Sequence, residues 1–249
     1  MIIFDDVSLC LNNRTILKKI SFEVNKGETA LLVGSSGAGK STILRLICGL
    51  LQPTGGSIWV MGQNLAQLSE YELNQLRKKL SLVFQNGALF DSLTLAENVS
   101  FFLREQHRLS EAEIQQRVEE IMDFFGLANF AHYYPAQISG GMKKRVSIAR
   151  AIMTRPELLL YDEPTAGLDP FAAKKVVQMI NDLRQNFHVT SLIVTHEIHH
   201  FEHVVDRLIM LKNATIHYDG QYDLSILDRF EETEAQLECI PDEEFYAEL

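Results

Sequence analysis

The chain has 249 residues, of which 46% are hydrophobic, and it carries a formal net charge of −10 at pH 7. This length and apolar content allow one or two domains with a large buried core. No apolar run approaches the roughly 18 to 20 residues that span a bilayer, and no N-terminal segment is typical of a secretory signal. The three cysteines lack the spacing of a zinc site or a disulfide framework, so we expect a soluble, cytoplasmic protein with reduced thiols.

The negative charge is concentrated at the C-terminal end. From residue 228 onward nine carboxylates stand against Arg229, a net charge of −8 that leaves only −2 for the first 227 residues. A near-neutral body without a basic stripe argues against nucleic acid as a partner. The tail over 225–249 also contains apolar residues, so two interpretations stay open: docking on a neighbouring subunit, or a frayed acidic end.

Strands are predicted first along the chain. Alternating apolar residues over 2–24, with a turn at Asn12-Asn13, predict an antiparallel hairpin. The apolar run 29–33 is typical of a buried parallel strand. The elements that follow are a turn over 53–56, a strand over 57–60, a helix over about 70–80 and a strand over 80–84.

Helices dominate the middle of the chain, from about 88 to 154. Ser110 and Glu113 form a capping-box pattern, which predicts a helix that ends near Gly126. A second helix is predicted over about 139–154. The remaining elements are a strand over 158–161, a helix over about 171–186 and a strand over 190–194. This alternation indicates a mostly parallel sheet with flanking helices.

Residues 34–42 fit the pattern G-x-x-x-x-G-K-[ST] between a predicted strand and a predicted helix. A glycine-rich turn in this place points backbone N–H groups inward, and the helix dipole adds to them, so the turn can cradle a polyphosphate. Lys40 is expected to reach the β- and γ-phosphates, and the Ser41 hydroxyl to ligate Mg²⁺. The predicted ATP-binding residues are Gly34, Ser35, Ser36, Gly37, Ala38, Gly39, Lys40, Ser41 and Thr42.

The apolar run over 158–161 ends in two carboxylates, Asp162 and Glu163. Asp162 is placed to hold Mg²⁺, directly or through water. Glu163, the next residue, is placed to orient and deprotonate an attacking water. The two acids therefore predict a nucleotide-hydrolysing site rather than a site that only binds.

With Ser139-Gly140-Gly141 in place, the chain resembles ATP-binding-cassette (ABC) ATPases over nearly all of residues 1–220. The matching motifs are, in order, the Walker A loop at 34–41, the Q-loop Gln85, the signature at 139–142, the Walker B strand at 158–162, the catalytic Glu163, the D-loop at 166–169 and the switch His196. Two departures are Met142, where the signature usually closes with glutamine, and Leu11, near the place of the usual adenine-stacking aromatic.

The resemblance implies a head-to-tail homodimer that binds ATP and Mg²⁺. In it, Ser139, Gly140 and Gly141 of one chain cover the γ-phosphate held by the other chain. Asp169 of the D-loop links the two sites. The implied catalytic residues are Glu163, His196 and Gln85, and the implied Mg²⁺ ligands are Ser41, Gln85 and Asp162.

The implied fold is α/β: a P-loop (RecA-like), mostly parallel sheet with an antiparallel N-terminal β subdomain, a helical insert and an acidic C-terminal tail. The predicted boundaries are an ATP-binding core with the β subdomain over 1–87 and 155–224, a helical subdomain over 88–154 and an extension over 225–249.

Residues 83–99 further resemble the ATPases of MCE-type phospholipid transporters, of which the maintenance-of-lipid-asymmetry (Mla) system is the nearest case. This resemblance implies an ATPase that drives an integral membrane permease with an MCE-domain lipid-binding partner, peripheral on the cytoplasmic face of the inner membrane. The alternatives are a small-solute importer, a lipoprotein-releasing ATPase or a regulatory cassette of cell-division type. Apolar residues in and just after this segment form either a groove for a permease helix or part of the core: Phe84, Phe90, Leu93 and Phe101 or Phe102.

Two further patterns are interpreted as solvent-exposed residues rather than as binding sites. His196, His199, His200 and His203 have the spacing of one helical face that could hold zinc, but we expect exposed side chains. The basic residues that follow the signature, 143–145, are expected to form a solvated turn.

Overall fold

The computed structural model describes residues 1–106 and 109–222. The strands in these ranges are β1 (Ile2–Leu11), β2 (Arg14–Val24), β3 (Thr29–Val33), β4 (Gly55–Val60), β5 (Gln63–Asn64), β6 (Leu80–Val83), β7 (Leu158–Asp162), β8 (Thr190–Thr195), β9 (Arg207–Lys212) and β10 (Thr215–Gln221). The α-helices there are α1 (Lys40–Ile47), α2 (Glu70–Arg77), α3 (Leu95–Glu105), α4 (Glu111–Phe124), α5 (Gly140–Ile152) and α6 (Pro170–Phe187).

The larger sheet runs in the order β10-β9-β3-β8-β7-β6, and its neighbouring strands are parallel except for β10 with β9. Val33 at the end of β3 lies opposite Thr195 of β8, and Asp162 of β7 lies opposite Val194. The carboxyl ends of the central strands therefore meet at one edge, where ligands bind in open α/β sheets. This confirms the mostly parallel P-loop fold.

The smaller sheet is antiparallel, in the order β2-β1-β4-β5. Asn12 and Asn13 connect β1 to β2 with φ values of 51° and 62°, which suits a tight hairpin turn. Phe4 and Phe22 stack with ring centroids 4.6 Å apart, in a buried apolar cluster that also includes Ile43 of α1. The predicted N-terminal β subdomain is confirmed, and its apolar face is fixed against the helix that follows the phosphate loop.

Helices α3, α4 and α5 pack together beside the larger sheet, around a second buried apolar cluster. Both hydrogen bonds of the predicted capping box form at Ser110 and Glu113, and α4 begins there. The sequence analysis missed α3, although Thr94 and Glu97 form the same capping box at its start. It also missed β9 and β10, which come after the last recognised motif.

One prediction about side chains is wrong. Lys144 does not lie in a solvated turn: it is only 6% exposed, because the second turn of α5 directs it into the protein. The four histidines are exposed, as expected. They do not share a helical face, because β8 ends at Thr195 and a short 3₁₀ turn over His199–Phe201 follows in the described chain. The aromatic residues of the proposed groove are partly on the surface, since Phe84, Phe90 and Phe102 are exposed.

The predicted acidic extension over 225–249 lies outside the described residues. Within 1–106 and 109–222, no helix combines the length and the apolar character needed to cross a bilayer.

Candidate active site

The glycine loop lies between β3 and α1 and requires its glycines. A Cβ on Gly34 would lie 2.3 Å from the Leu211 carbonyl oxygen, and Gly39 adopts φ +107°. No side chain of the described residues caps the start of α1, so no capping oxygen competes with a ligand for the N–H groups of the first turn. The loop and the helix N-terminus together therefore form a cradle for an anion such as phosphate.

Lys40 is buried at the start of α1. Its ammonium donates to the carbonyl oxygens of Gly34 and Ser35, at 2.7 and 3.1 Å, and lies 3.6 Å from a carboxylate oxygen of Glu163. The side chain thus binds the loop at two carbonyl oxygens and carries a positive charge beside the Glu163 carboxylate. A phosphate in the cradle would meet this ammonium directly.

Ser41 and Asp162 provide a set of oxygen ligands. The Ser41 hydroxyl donates to Oδ1 of Asp162 at 2.8 Å. Burial raises the pKa of Asp162, and the neighbouring Glu163 carboxylate contributes in the same direction. A hydroxyl and a partly desolvated carboxylate fit Mg²⁺, which prefers oxygen ligands and brings its own waters. The donor set therefore fits the predicted metal.

Glu163 is held on several sides. Its N–H donates to the Val194 carbonyl at 2.8 Å, and one carboxylate oxygen lies 2.9 Å from Nδ1 of His196. The His196 N–H also points to this oxygen, at 3.3 Å. Because Lys40 flanks the other oxygen, the carboxylate is fixed between an ammonium and an imidazole. This geometry suits a base that takes a proton from water.

The backbone of Glu163 is unusual, because φ is +48° in a residue with a side chain. Its carbonyl oxygen accepts a hydrogen bond from Nζ of Lys144, at 2.9 Å. Two residues later, the hydroxyl of the fully buried Thr165 donates to Glu197 at 2.6 Å. Sequence reasoning missed Lys144, Thr165 and Glu197, because their contacts join segments that are distant in the chain.

The other predicted site residues lie around this centre. Gln85 is exposed just beyond the end of β6, at the same edge of the sheet as Glu163. Ser139 is the N-cap of α5 and is exposed. Asp169 caps α6 by accepting from the N–H groups of Phe171 and Ala172, both at 3.0 Å. A Cβ on Gly140 would lie 3.8 Å from Leu168 of the D-loop, so the signature packs beside the D-loop of its own chain.

A cavity of about 740 Å³ opens beside the phosphate loop. It is lined by the β1–β2 hairpin, the loop and the turn after β9, including Cys10, Arg14, Ser36, Gly37 and Asn213. Leu11, predicted to lie near the adenine, is 41% exposed and is not among the lining residues. Cys10 and Arg14 occupy the hairpin positions that face the cavity, and the residue pattern alone gave no signal for them.

Comparison with known proteins identifies the family. The model of the ABC transporter family matches residues 17–166. The chain belongs to this family. The geometry above is therefore that of the ATP-binding part of this family, and the predicted class of ABC ATPase is confirmed.

Relatives with curated names cover most of the chain. The methionine import ATP-binding protein MetN of Carboxydothermus hydrogenoformans is 40% identical over 201 residues, which are 81% of this chain and 59% of MetN. Protein trigalactosyldiacylglycerol 3, chloroplastic, of Arabidopsis thaliana is 39% identical over 236 residues, 86% of this chain and 67% of that protein. A probable amino-acid ABC transporter ATP-binding protein of Sinorhizobium fredii is 35% identical over 88% of this chain and 89% of its own length. The chain thus spans about 60% of the length of the methionine-import relative.

Solved structures show the same fold. The ATP-binding cassette MJ0796, described as dimeric in a post-hydrolysis state with ADP and Pi, matches with a TM-score of 0.80 and 31% identity, over 89% of this chain and 98% of that one. The cbiO1 chain of Clostridium perfringens, described as part of the ABC transporter complex cbiONQ, matches with a TM-score of 0.84 and 26% identity, over 96% and 95% of the two chains. The finer likeness to MCE-type transporters is not confirmed by these comparisons, in which names of amino-acid importers prevail.

Proposed function

We propose that two copies of this ABC ATPase bind MgATP head to tail and use its hydrolysis to drive a membrane permease. The observation that carries the proposal is the position of the Glu163 carboxylate between Lys40 and His196. Ser41 and Asp162 lie beside it and would hold Mg²⁺, which neutralises phosphate charge when bound. In this arrangement Glu163 takes the proton of the attacking water, and His196 and Lys40 stabilise charge around it.

The head-to-tail dimer follows from the position of the signature. Ser139 begins α5, whose N-terminus and free amides suit an anion. This end of α5 is exposed and lies beside the D-loop of its own chain. A second copy would bring its phosphates to Ser139, and the dimeric structure of the related cassette MJ0796 supports this arrangement. The protein then has two equivalent sites.

The test of the catalytic assignment is Glu163→Gln. We expect this variant to bind ATP as the wild type does and to lose hydrolysis by about 10²-fold to 10⁴-fold, because the amide cannot take a proton. Lys40→Ala is the matched comparison and should lose tight ATP binding instead. Binding is measured by calorimetry and turnover by phosphate release. Hydrolysis near the wild-type rate in Glu163→Gln would show that another group is the base.

The transported substrate is a separate question. The names of the relatives support a small-solute importer, the alternative in the sequence analysis, better than they support phospholipid transport. We therefore infer that the permease carries a small solute of the amino-acid class.

Phospholipid transport remains a second candidate because of two observations. One relative carries the name of a galactolipid, and it matches a longer stretch of this chain than the methionine-import relative does. Residues 83–99 resemble the ATPases of MCE-type transporters in sequence. Aromatic rings cluster there: Phe90 and Phe101 lie 4.5 Å apart, and the Arg150 guanidinium lies 5.7 Å from the Phe90 ring centroid. A permease helix of apolar character would fit against this cluster.

The two candidates are separated by the proteins that bind this subunit. Tagged Glu163→Gln is purified with ATP from detergent-solubilised membranes, and the copurifying proteins and lipids are identified by mass spectrometry. A permease that comes with a solute-binding protein and responds to amino acids would support the importer. A permease with an MCE-domain partner and bound phospholipid would contradict it and support the second candidate.

A further inference from the structure

Helix α5 fastens the motif segments through buried polar side chains. Lys144, Ser147 and Arg150 follow each other at intervals of three residues and are only 6%, 2% and 7% exposed. Each of them donates to main-chain carbonyl oxygens outside α5. The helix that begins with the signature is therefore bonded to segments that belong to the hydrolysis site of the same chain.

Two of these side chains hold the segment after Gln85. Ser147 donates to the Gly87 carbonyl at 3.0 Å, and Arg150 donates to the carbonyls of Gly87 and Ala88, both at 2.8 Å. Lys144 holds a different segment. Its ammonium lies 2.9 Å from the carbonyl oxygen of Glu163, so its partner is the residue that carries the catalytic carboxylate.

Glu163 needs such a bond because its backbone is in the left-handed region, which residues with a Cβ adopt only when their surroundings hold them there. The Val194 carbonyl fixes its N–H, and Lys144 fixes its carbonyl. With the N–H and the carbonyl of Glu163 both hydrogen-bonded, its side chain is held in one direction at the end of β7. The carboxylate then meets Lys40 and His196.

The burial of Lys144 is consistent with a specific role. Burial lowers the pKa of Lys144, while the negative charges of Glu163, Asp162 and Glu197 act in the opposite direction. A buried ammonium is unfavourable unless it is hydrogen-bonded and balanced by charge. Its position among these three carboxylates balances the charge, and the Glu163 carbonyl supplies the hydrogen bond.

We propose that Lys144 is a positioning residue that orients the catalytic carboxylate of Glu163 by holding its main-chain carbonyl, and that it thereby links the signature helix to the hydrolysis site of its own chain. The inference rests on the proposed function, because it assumes that Glu163 is the base. It predicts that the ammonium contributes to the rate of hydrolysis and little to the affinity for ATP.

The test compares three variants of the full chain. Lys144→Met keeps the stem and removes the donor, Lys144→Gln restores a shorter donor, and Arg145→Met removes a neighbouring donor of α5 that binds the Phe125 carbonyl at 3.0 Å. The readouts are kcat at saturating MgATP, the Kd of a fluorescent ATP analogue, and thermal unfolding followed by circular dichroism.

We expect Lys144→Met to lower kcat about tenfold or more while Kd changes less than about twofold, as for a group that acts on orientation. Lys144→Gln should have a kcat between those of Lys144→Met and the wild type. Arg145→Met should keep a higher kcat than Lys144→Met, because its carbonyl partner, Phe125, lies at the end of α4 and not at the proposed base. Equal losses in the two Met variants would show a merely structural role for α5.

The inference is overturned by a wild-type kcat in Lys144→Met, or by a Lys144→Gln variant no faster than Lys144→Met. If Lys144→Met does not fold, Lys144→Gln decides: a reduced kcat with unchanged Kd supports the inference, and a wild-type kcat contradicts it. Glu163→Gln is measured in parallel. Should that variant hydrolyse ATP normally, the proposed base is wrong; should it be inactive beside a fully active Lys144→Met, only the role of Lys144 is wrong.

Discussion

At the residue scale, the ionised carboxylate of Asp162 lowers the stability of the folded protein. Burial raises its pKa above the ordinary value of 3.8, so the folded state binds this proton more tightly than the unfolded state does. Stability therefore falls as the pH rises from about 3.8 through the raised pKa, and at neutral pH the ionised carboxylate lowers the free energy of unfolding. We expect Asp162→Asn, which still accepts from Ser41, to unfold at a higher temperature in EDTA at pH 7 and to lose MgATP hydrolysis.

The same unfolding measurement at pH 3 is the control for Asp162→Asn. At that pH the aspartate is protonated in both states, so the gain in unfolding temperature should disappear. A gain of the same size at both pH values would show that the effect is not caused by ionisation of Asp162.

The described cysteines should differ in reactivity. Cys10 is exposed and lines the cavity beside the phosphate loop, whereas burial raises the pKa of Cys48 to about 12. Since the thiolate is the reactive form, a maleimide should label Cys10 and leave Cys48 unmodified in the folded protein. The experiment uses Cys239→Ser, and labelled sites are located by peptide mass spectrometry. MgATP should slow the labelling of Cys10; an unchanged rate would place the nucleotide elsewhere.

At the element scale, Asn98 holds the turn that leads into α3. It is fully buried, accepts from the Phe90 N–H at 2.8 Å, and donates to the carbonyls of Phe90, Leu93 and Thr94 at 3.0 to 3.1 Å. Asn98→Ala leaves these groups unpaired, so we expect the free energy of unfolding to fall by about 2 to 4 kcal/mol. Urea denaturation measures the loss.

Asn64→Ala is the matched control for Asn98→Ala. Asn64 makes a single cap hydrogen bond to the N–H of Ala66, at 3.0 Å and in an exposed place. Its loss should lower the free energy of unfolding by about 1 kcal/mol or less. Similar losses of unfolding free energy in the two variants would contradict the special role of Asn98 in holding the turn that leads into α3.

At the scale of the whole molecule, the head-to-tail dimer can be tested by complementation. Lys40→Ala has a defective cradle and an intact signature, and Ser139→Arg has the reverse. Neither should hydrolyse ATP alone. In an equal mixture about half of the dimers are mixed, and each mixed dimer has one complete site, so about a quarter of the wild-type activity should return. ATPase assays of the mixture measure this.

The control for complementation mixes Lys40→Ala with the double variant Lys40→Ala, Ser139→Arg, which can form no complete site. If the first mixture is no more active than this control, the signature does not act on the partner's nucleotide.

The sequence alone determined the chemistry of the nucleotide site. The glycine loop, Lys40 and Ser41 form one local motif. Such a motif can be recognised in a sequence because a strand, a tight turn and a helix N-terminus each require particular residue types. The parallel sheet and the β subdomain were also predicted, since buried strands and hairpin turns have strong local patterns. The apolar run that ends in two carboxylates indicated Asp162 and Glu163, and the resemblance then supplied Gln85, His196 and the signature.

Only the tertiary structure decided how these motifs are held together. The sequence gives no sign that Lys144 turns inward to the Glu163 carbonyl, or that Cys10 and Arg14 line the cavity in place of Leu11. Side-chain patterns fix the period and the buried face of one element, whereas such contacts depend on how separate elements pack. From its residue type alone, Lys144 is expected to be solvated. Its burial follows from the three carboxylates and the carbonyl that the folded chain brings around it.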